Sequence, residues 1–342
     1  MTTTRTMTIA NMAILAACCM HGCGGKVVED QEVIGAGGSG HDAAVGGTGG
    51  TGGSTAFDGC PGLGCAPNCG DAGIAVDKNG CPTCTCNAGP DGGTGGSGGT
   101  TGCGTTTCGS LEQCFNNKFC VAKLVPIAGG YSIDATEVTR AQYAAWLGTN
   151  PTTGGQLPAC SWKAGVDAFK PRCVWPPATE GDHPVVCVDW CDADAYCKAV
   201  GKRLCGKIGG GSNGYDDYAD ATKSEWFNAC SSNDVNDYPY GDTYDGQKCN
   251  GSDKSSSTVP VGSLTGCQSL IGGYAGVYDL SGNVFELEDS CTATTGQFDW
   301  CRVRGGAVIY DAPFLRCDYS NVLAFNRTTY AAWLGFRCCS DM

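Results

Sequence analysis

The chain has 342 residues, with 21 Lys+Arg against 34 Asp+Glu and a formal charge of −13. That sign excludes the basic footprint of a nucleic-acid binder, and an anionic membrane surface would repel the protein as well. Twenty-seven cysteines are more than a reducing cytosol normally tolerates, so the composition points to an oxidising compartment.

Residues 1–17 read as an export signal. Arg5 supplies a positive n-region, Ile9 to Ala17 is mostly apolar although Asn11 interrupts it, and small residues precede the cut. Leu15-Ala16-Ala17-Cys18 looks like a bacterial lipobox, which makes Cys18 the expected lipidation site; an ordinary cleaved signal peptide is the alternative. No later stretch approaches the ~20 apolar residues of a membrane helix. Membrane contact is therefore expected only through an N-terminal lipid anchor.

Residues 18–59 and 88–102 form two linkers, and within them residues 34 to 54 and Gly89 to Gly102 are dense in Gly, Thr and Ser. Such stretches bury too little apolar surface to offset chain entropy, and they act as tethers.

Six cysteines fall in residues 60–87, as Cys60-Pro-Gly-Leu-Gly-Cys65-Ala-Pro-Asn-Cys69 and then Gly80-Cys81-Pro-Thr-Cys84-Thr-Cys86. This spacing resembles an antistasin-like repeat. In that family the residue after the second cysteine sets the specificity of a serine protease inhibitor loop and is commonly basic. Here it is Ala66, followed by Pro67, so a stapled spacer or adhesive knob is preferred over an inhibitor. CxxC pairs also suggest zinc, but with no nearby His in an exported chain disulfides are favoured. Residues 103–120 carry four cysteines and no recognisable chemistry; two disulfides are expected there.

From residue 121 to 342 the composition is that of a globular domain, and all seven tryptophans lie beyond Leu124. Thr136 is placed to cap a helix through Val138, Tyr143, Trp146 and Leu147. Asp189 is placed to cap a second, from Trp190 to Val200, with Gly201 as its stop. Thr222 with Glu225 reads as a capping box before Trp226 and Phe227. Short segments broken by Gly, Pro and Asn run between them, an α+β pattern with much irregular structure.

The same region contains Thr136-Glu137-Val-Thr, His183-Pro-Val-Val-Cys-Val-Asp-Trp190, Ala195-Tyr-Cys197, Gly201-Lys-Arg-Leu204 and Ser224-Glu-Trp226. Further on come Gly276-Val-Tyr-Asp-Leu-Ser-Gly-Asn-Val-Phe-Glu286, Arg304-Gly-Gly306 and Leu334-Gly-Phe-Arg-Cys338. In this order they resemble the sulfatase-modifying-factor, or formylglycine-generating enzyme, family. The resemblance implies a C-type-lectin-like α+β fold. It also implies disulfides Cys197–Cys338 and Cys230–Cys317, and a calcium site at Asp279, Gly282, Val284 and Glu286. Two carboxylates and two backbone carbonyls suit a hard cation; the alternative is a tight turn at Gly282-Asn283 with Glu286 satisfied by neighbours.

Family enzymes bind copper through two cysteines shortly after Arg-Gly-Gly, because thiolates suit Cu(I). After Gly306 no cysteine occurs until Cys317, so copper is not expected. His183 is the one histidine of the domain and reads as a turn residue. An insertion from Gly206 to Ala221 carries Asp216, Asp217 and Asp220, either a calcium loop or a solvated surface. Tyr215, Tyr218, Tyr238, Tyr240 and Tyr244 offer stacking surface or core rim. The expected function is a non-catalytic, exported binding or structural protein whose ligand is a glycan or peptide. A family enzyme with re-sited oxidase chemistry and a serine protease inhibitor are the alternatives.

Overall fold

A computed structural model describes residues 74–76, 82–86, 101–173, 179–319 and 325–342. Two units are distinguished, residues 1–67 with 74–84, and residues 68–73 with 85–342. In the first stretch, β1 (Ile74–Val76) pairs with β2 (Pro82–Cys86), whose last two residues belong to the second unit. Cys18, Ala66, four of the six module cysteines (Cys60, Cys65, Cys69 and Cys81) and the Gly-rich linkers lie outside the described residues, except that Thr101 and Gly102, read as linker, open β3.

The second unit is α+β. It opens with two small hairpins, β3 (Thr101–Cys103) with β4 (Thr106–Cys108), and β5 (Glu112–Phe115) with β6 (Phe119–Ala122). Disulfides Cys103–Cys114 and Cys108–Cys120 close the four-cysteine segment on itself. The segment also docks on the larger body of the unit: Gln142 donates to Glu112 at 2.9 Å, and Val121 lies in the main core.

Next come β7 (Leu124–Ile127) and β8 (Tyr131–Asp134), then helix α1 (Arg140–Leu147). Thr139 caps this helix in a reciprocal box with Gln142, not Thr136 as the sequence suggested. The reason is tertiary: Val138 N–H donates to Phe336 O, so the chain stays extended past Thr136. Helix α2 (Trp190–Ala199) begins at the expected cap, Asp189. Strand β9 (Arg203–Leu204) comes next, and helix α3 (Glu225–Ser231) is capped by Ser224 rather than Thr222. Thr222 is instead held by Asp220 in the preceding turn.

The C-terminal part supplies β10 (Phe285–Cys291), β11 (Trp300–Arg304), β12 (Phe325–Asn326), β13 (Leu334–Gly335) and β14 (Cys338–Asp341). One sheet runs β12-β11-β10-β13, with β13 parallel to β10. The other runs β7-β8-β14-β9 and is antiparallel, so the last strand lies between strands from early in the domain. Side chains alternate along a strand, and β14 uses this alternation to send adjacent cysteines to different partners. Cys338 bonds Cys197 of α2, and Cys339 bonds Cys205.

All fourteen cysteines from Cys160 onward are paired. Besides the two bonds of β14, the structure joins Cys160–Cys191, Cys173–Cys187, Cys230–Cys317, Cys249–Cys267 and Cys291–Cys301. The core beneath them is aromatic: Tyr143 stacks on Tyr196 at 5.6 Å, and Trp146, Phe169 and Phe336 pack edge-on or tilted around them. Cys197–Cys338 closes a loop with a sequence separation of 141 residues. Replacing both cysteines by Ala should cost about 2–5 kcal/mol, read as a lowered denaturation midpoint with an intact native spectrum. An unchanged midpoint would remove this bond from the account of stability.

Candidate functional site

A buried carboxylate centre lies where the two sheets meet. Glu286 is the second residue of β10, and both its oxygens face Arg337, at 2.6 and 2.7 Å. Trp226 Nε1 donates to the same carboxylate at 2.8 Å. Arg337 also donates to Asp134 O and Tyr278 O. Burial alone would lower the Arg337 pKa, but the Glu286 carboxylate outweighs it and the pKa is raised.

Asp279 and Glu137 share this interior without such partners. Asp279 Oδ2 accepts from Gly262 N–H at 2.6 Å, while Oδ1 has no hydrogen-bond partner among the described residues. Glu137 Oε1 accepts from Asn283 Nδ2 at 3.0 Å, and its Oε2 is likewise unpartnered. Burial is the main force on both and pushes Asp279 up to about 6. Glu137 is raised well above the ordinary range by burial and then by the Asp279 charge. Three buried carboxylates thus face one guanidinium.

Of the four residues singled out for calcium, Asp279 has an open oxygen and Glu286 is fully engaged by Arg337 and Trp226. Gly282 and Val284 form the turn between them. Gly282 has φ +79°, and a Cβ there would stand 2.5 Å from Asn250 O, so only glycine fits. Glu137 escaped the sequence reading as a site residue, because only the fold brings it to Asp279.

A second feature is the segment after Arg304-Gly305-Gly306. Ala307 and Val308 are buried, Ile309 is 54 % exposed, and Tyr310, Phe314 and Tyr319 are half-buried. Their rings run as a series: Phe285–Tyr310 at 5.3 Å, Tyr310–Phe314 at 5.1 Å and Phe314–Tyr319 at 5.1 Å. Trp333 joins through Phe285 at 5.7 Å. Beside this series Tyr238 stacks on Tyr240, with Tyr244 tilted against Tyr238. Tyr238 Oη donates to Ala312 O, and Ser252 N–H donates to Tyr310 O, so the two aromatic groups adjoin. Asp253, at 3.2 Å from Tyr244 Oη, and the exposed Asp311 line the rim.

The other singled-out residues are accounted for locally. Tyr215 and Tyr218 sandwich the Arg302 guanidinium at 3.8 and 4.3 Å, which clamps the insertion to β11. Arg304 lies over Tyr218 at 5.2 Å and over Trp226 at 4.9 Å. Asp216 pairs with Arg302, and Asp217 and Asp220 pair with Lys223, so the three acids are spent on cations of the protein. His183 Nδ1 lies 2.9 Å from Thr258 Oγ1 in a turn. A concavity of about 650 Å³ lies elsewhere, against Leu147, Pro151, Val166 and Phe169.

A 179-residue stretch is 30% identical to serine/threonine-protein kinase Pkn1 of Chlamydia trachomatis serovar L2, covering 47% of this chain. The chain spans only 24% of that relative's length. Among solved structures, PvdO from Pseudomonas aeruginosa is 21% identical with a TM-score of 0.41, over 62% of this chain and 80% of that one. Treponema denticola variable protein 1 is 18% identical with a TM-score of 0.40, covering 62% and 84% of the two chains. Residues 98–342 match the family described as "Sulfatase-modifying factor enzyme 1-like domain". The match begins ahead of Cys103 and takes in the four-cysteine hairpins. The chain therefore belongs to the sulfatase-modifying factor enzyme 1-like domain family.

Proposed function

We propose that the protein is an exported binding protein whose family domain has exchanged oxygen chemistry for ligand capture on an aromatic surface. One observation carries this reading. All fourteen cysteines of the domain are consumed in seven disulfides, and the segment after Gly306 holds rings where a soft-metal thiolate pair would be needed. An oxidising compartment follows from the disulfides; anchoring through Cys18 follows from the lipobox alone. The 60–87 module serves as a stapled spacer, since Ala66 offers no charge to a trypsin-like protease.

The ligand class that fits is a neutral glycan. Partly exposed rings stack on the apolar faces of sugar rings, while Asp253, Asp311 and the tyrosine hydroxyls meet sugar hydroxyls. The acidic rim disfavours anionic ligands. Glycan and peptide arrays test this directly, with Tyr310→Ala as the probe. Binding of a neutral glycan should weaken at least tenfold, about 1.4 kcal/mol. Peptide-only binding would replace the glycan assignment. Two titratable thiols with bound copper in the purified protein would overturn the non-catalytic reading.

The carboxylate centre fits calcium in charge. Glu137, Asp279 and Glu286 against Arg337 leave two uncompensated negative charges when all are ionised, and Asp279 and Glu137 each have an oxygen to offer. Asp279 and Glu137 would hold the ion with help from the Gly282–Val284 turn, while Glu286 stays with Arg337 and Trp226. The ion would supply structural charge balance, not chemistry. The alternative is protonation, and pH separates the two. Asp279 is raised in the folded state, so without calcium this group's contribution to stability falls as pH rises from 3.8 through about 6. Calcium binds the ionised form and should reverse that trend. At hundredfold excess over Kd it adds about 2.7 kcal/mol, a gain that fades below about pH 6 and on Asp279→Asn. A melting temperature indifferent to calcium and chelator on both sides of that pH would remove the ion.

A further inference from the structure

A triad away from both features has a different chemistry. Lys163 extends from a loop into the core, where its side chain is 1% exposed and those of Asp189 and Asp192 are 0% exposed. Lys163 Nζ contacts Asp192 Oδ1, lies 2.7 Å from Asp189 Oδ2, and donates to Ala168 O at 2.9 Å. The Cys160–Cys191 disulfide fastens the loop three residues before Lys163 to the residue next to Asp192, so the approach is locked. We propose that Lys163 and Asp192 become joined by an intramolecular isopeptide bond, with Asp189 relaying the proton.

The surrounding hydrogen bonds assign each atom a role. Asp192 Oδ2 accepts from Asp189 N–H at 2.9 Å, which polarises the carbonyl that is kept. Asp192 Oδ1, on the amine side, is the oxygen that leaves. Asp189 Oδ1 is fixed by the N–H groups of Cys191 and Asp192, which aims Oδ2 at the amine. Burial first, and the Asp189 charge second, push Asp192 up to about 7, so its carboxyl is readily protonated. Arg172, 3.8 Å from Asp189 Oδ2, keeps a positive charge beside the relay carboxylate.

The step balances without any co-reactant. The Lys163 amine attacks Cγ of the protonated Asp192 carboxyl, so the N–C bond forms and the C–Oδ1 bond breaks. Asp189 takes a proton from the attacking nitrogen and delivers it to Oδ1, which departs as water. Ammonium plus carboxylate become amide plus water, and Asp189 ends as it began. In bulk water this condensation is disfavoured; here water is excluded and the reacting groups are held in contact. A buried neutral amide also avoids the desolvation penalty of a buried ion pair. Lys202 with Asp134 is the internal control. It too is a buried pair, but Asp134 is the one carboxylate within ion-pair distance of Lys202 among the described residues, so no second carboxylate stands there to relay a proton.

The test is peptide mapping of the full-length protein after reduction, alkylation and trypsin digestion. The expected product is a branched peptide joining the Lys163 and Asp192 segments, lighter than their sum by one water, with cleavage lost after Lys163 and kept after Lys202. Asp189→Asn should yield linear peptides. Quantitative recovery of a linear peptide ending at Lys163 from the wild-type protein would overturn the proposal. A branch undiminished in Asp189→Asn would overturn the relay.

Discussion

One buried guanidinium, that of Arg337, holds the two halves of the domain in register. It stands between β13 and β14, binds both oxygens of Glu286 in the other sheet, and donates to Asp134 O at the end of β8. Losing one partner of such a pair leaves a charge stranded in low dielectric, which costs more than the pair itself contributes. The position of the C-terminal strand, the pairing of its adjacent cysteines and the shape of the carboxylate centre all depend on where this side chain is fixed.

That centre carries more negative charge than Arg337 answers. Asp279 and Glu137 are buried beside an already paired Glu286, and the interior tolerates them only if a proton or a cation supplies the difference. Either answer is conditional on the medium, as suits a protein facing an environment that it does not control. The aromatic surface after Gly306 lies over the same part of the fold. Phe285, which precedes Glu286, is packed against Tyr310 and Trp333. Rigidity below and ring surface above are thus built from neighbouring residues of one strand.

Covalent closure is the other theme. Nine disulfides among the described residues bind hairpins, helices and strands that otherwise contain long irregular stretches. Chain entropy is what such a loop-rich domain must overcome, and cross-links reduce it in the unfolded state. An amide between Lys163 and Asp192 would extend the same strategy to a bond that no reductant opens.

The sequence by itself determined the cysteine-rich, oxidising setting, the family, the helix that starts at Asp189, and the absence of a cysteine between Gly306 and Cys317. Each is local: a spacing, a cap or a residue count. It did not determine the cap of the first helix, because Val138 is drawn into extended pairing by Phe336, far along the chain. Nor did it show that Tyr215 and Tyr218 are spent on Arg302, or that Glu137 joins Asp279. The resemblance implied Cys197–Cys338, but the partner of Cys339 was invisible, since neighbouring residues are separated only when a strand sends them to opposite faces. Those outcomes were decided by the tertiary structure, because they depend on pairings between residues whose separation in sequence carries no signal of their distance in space.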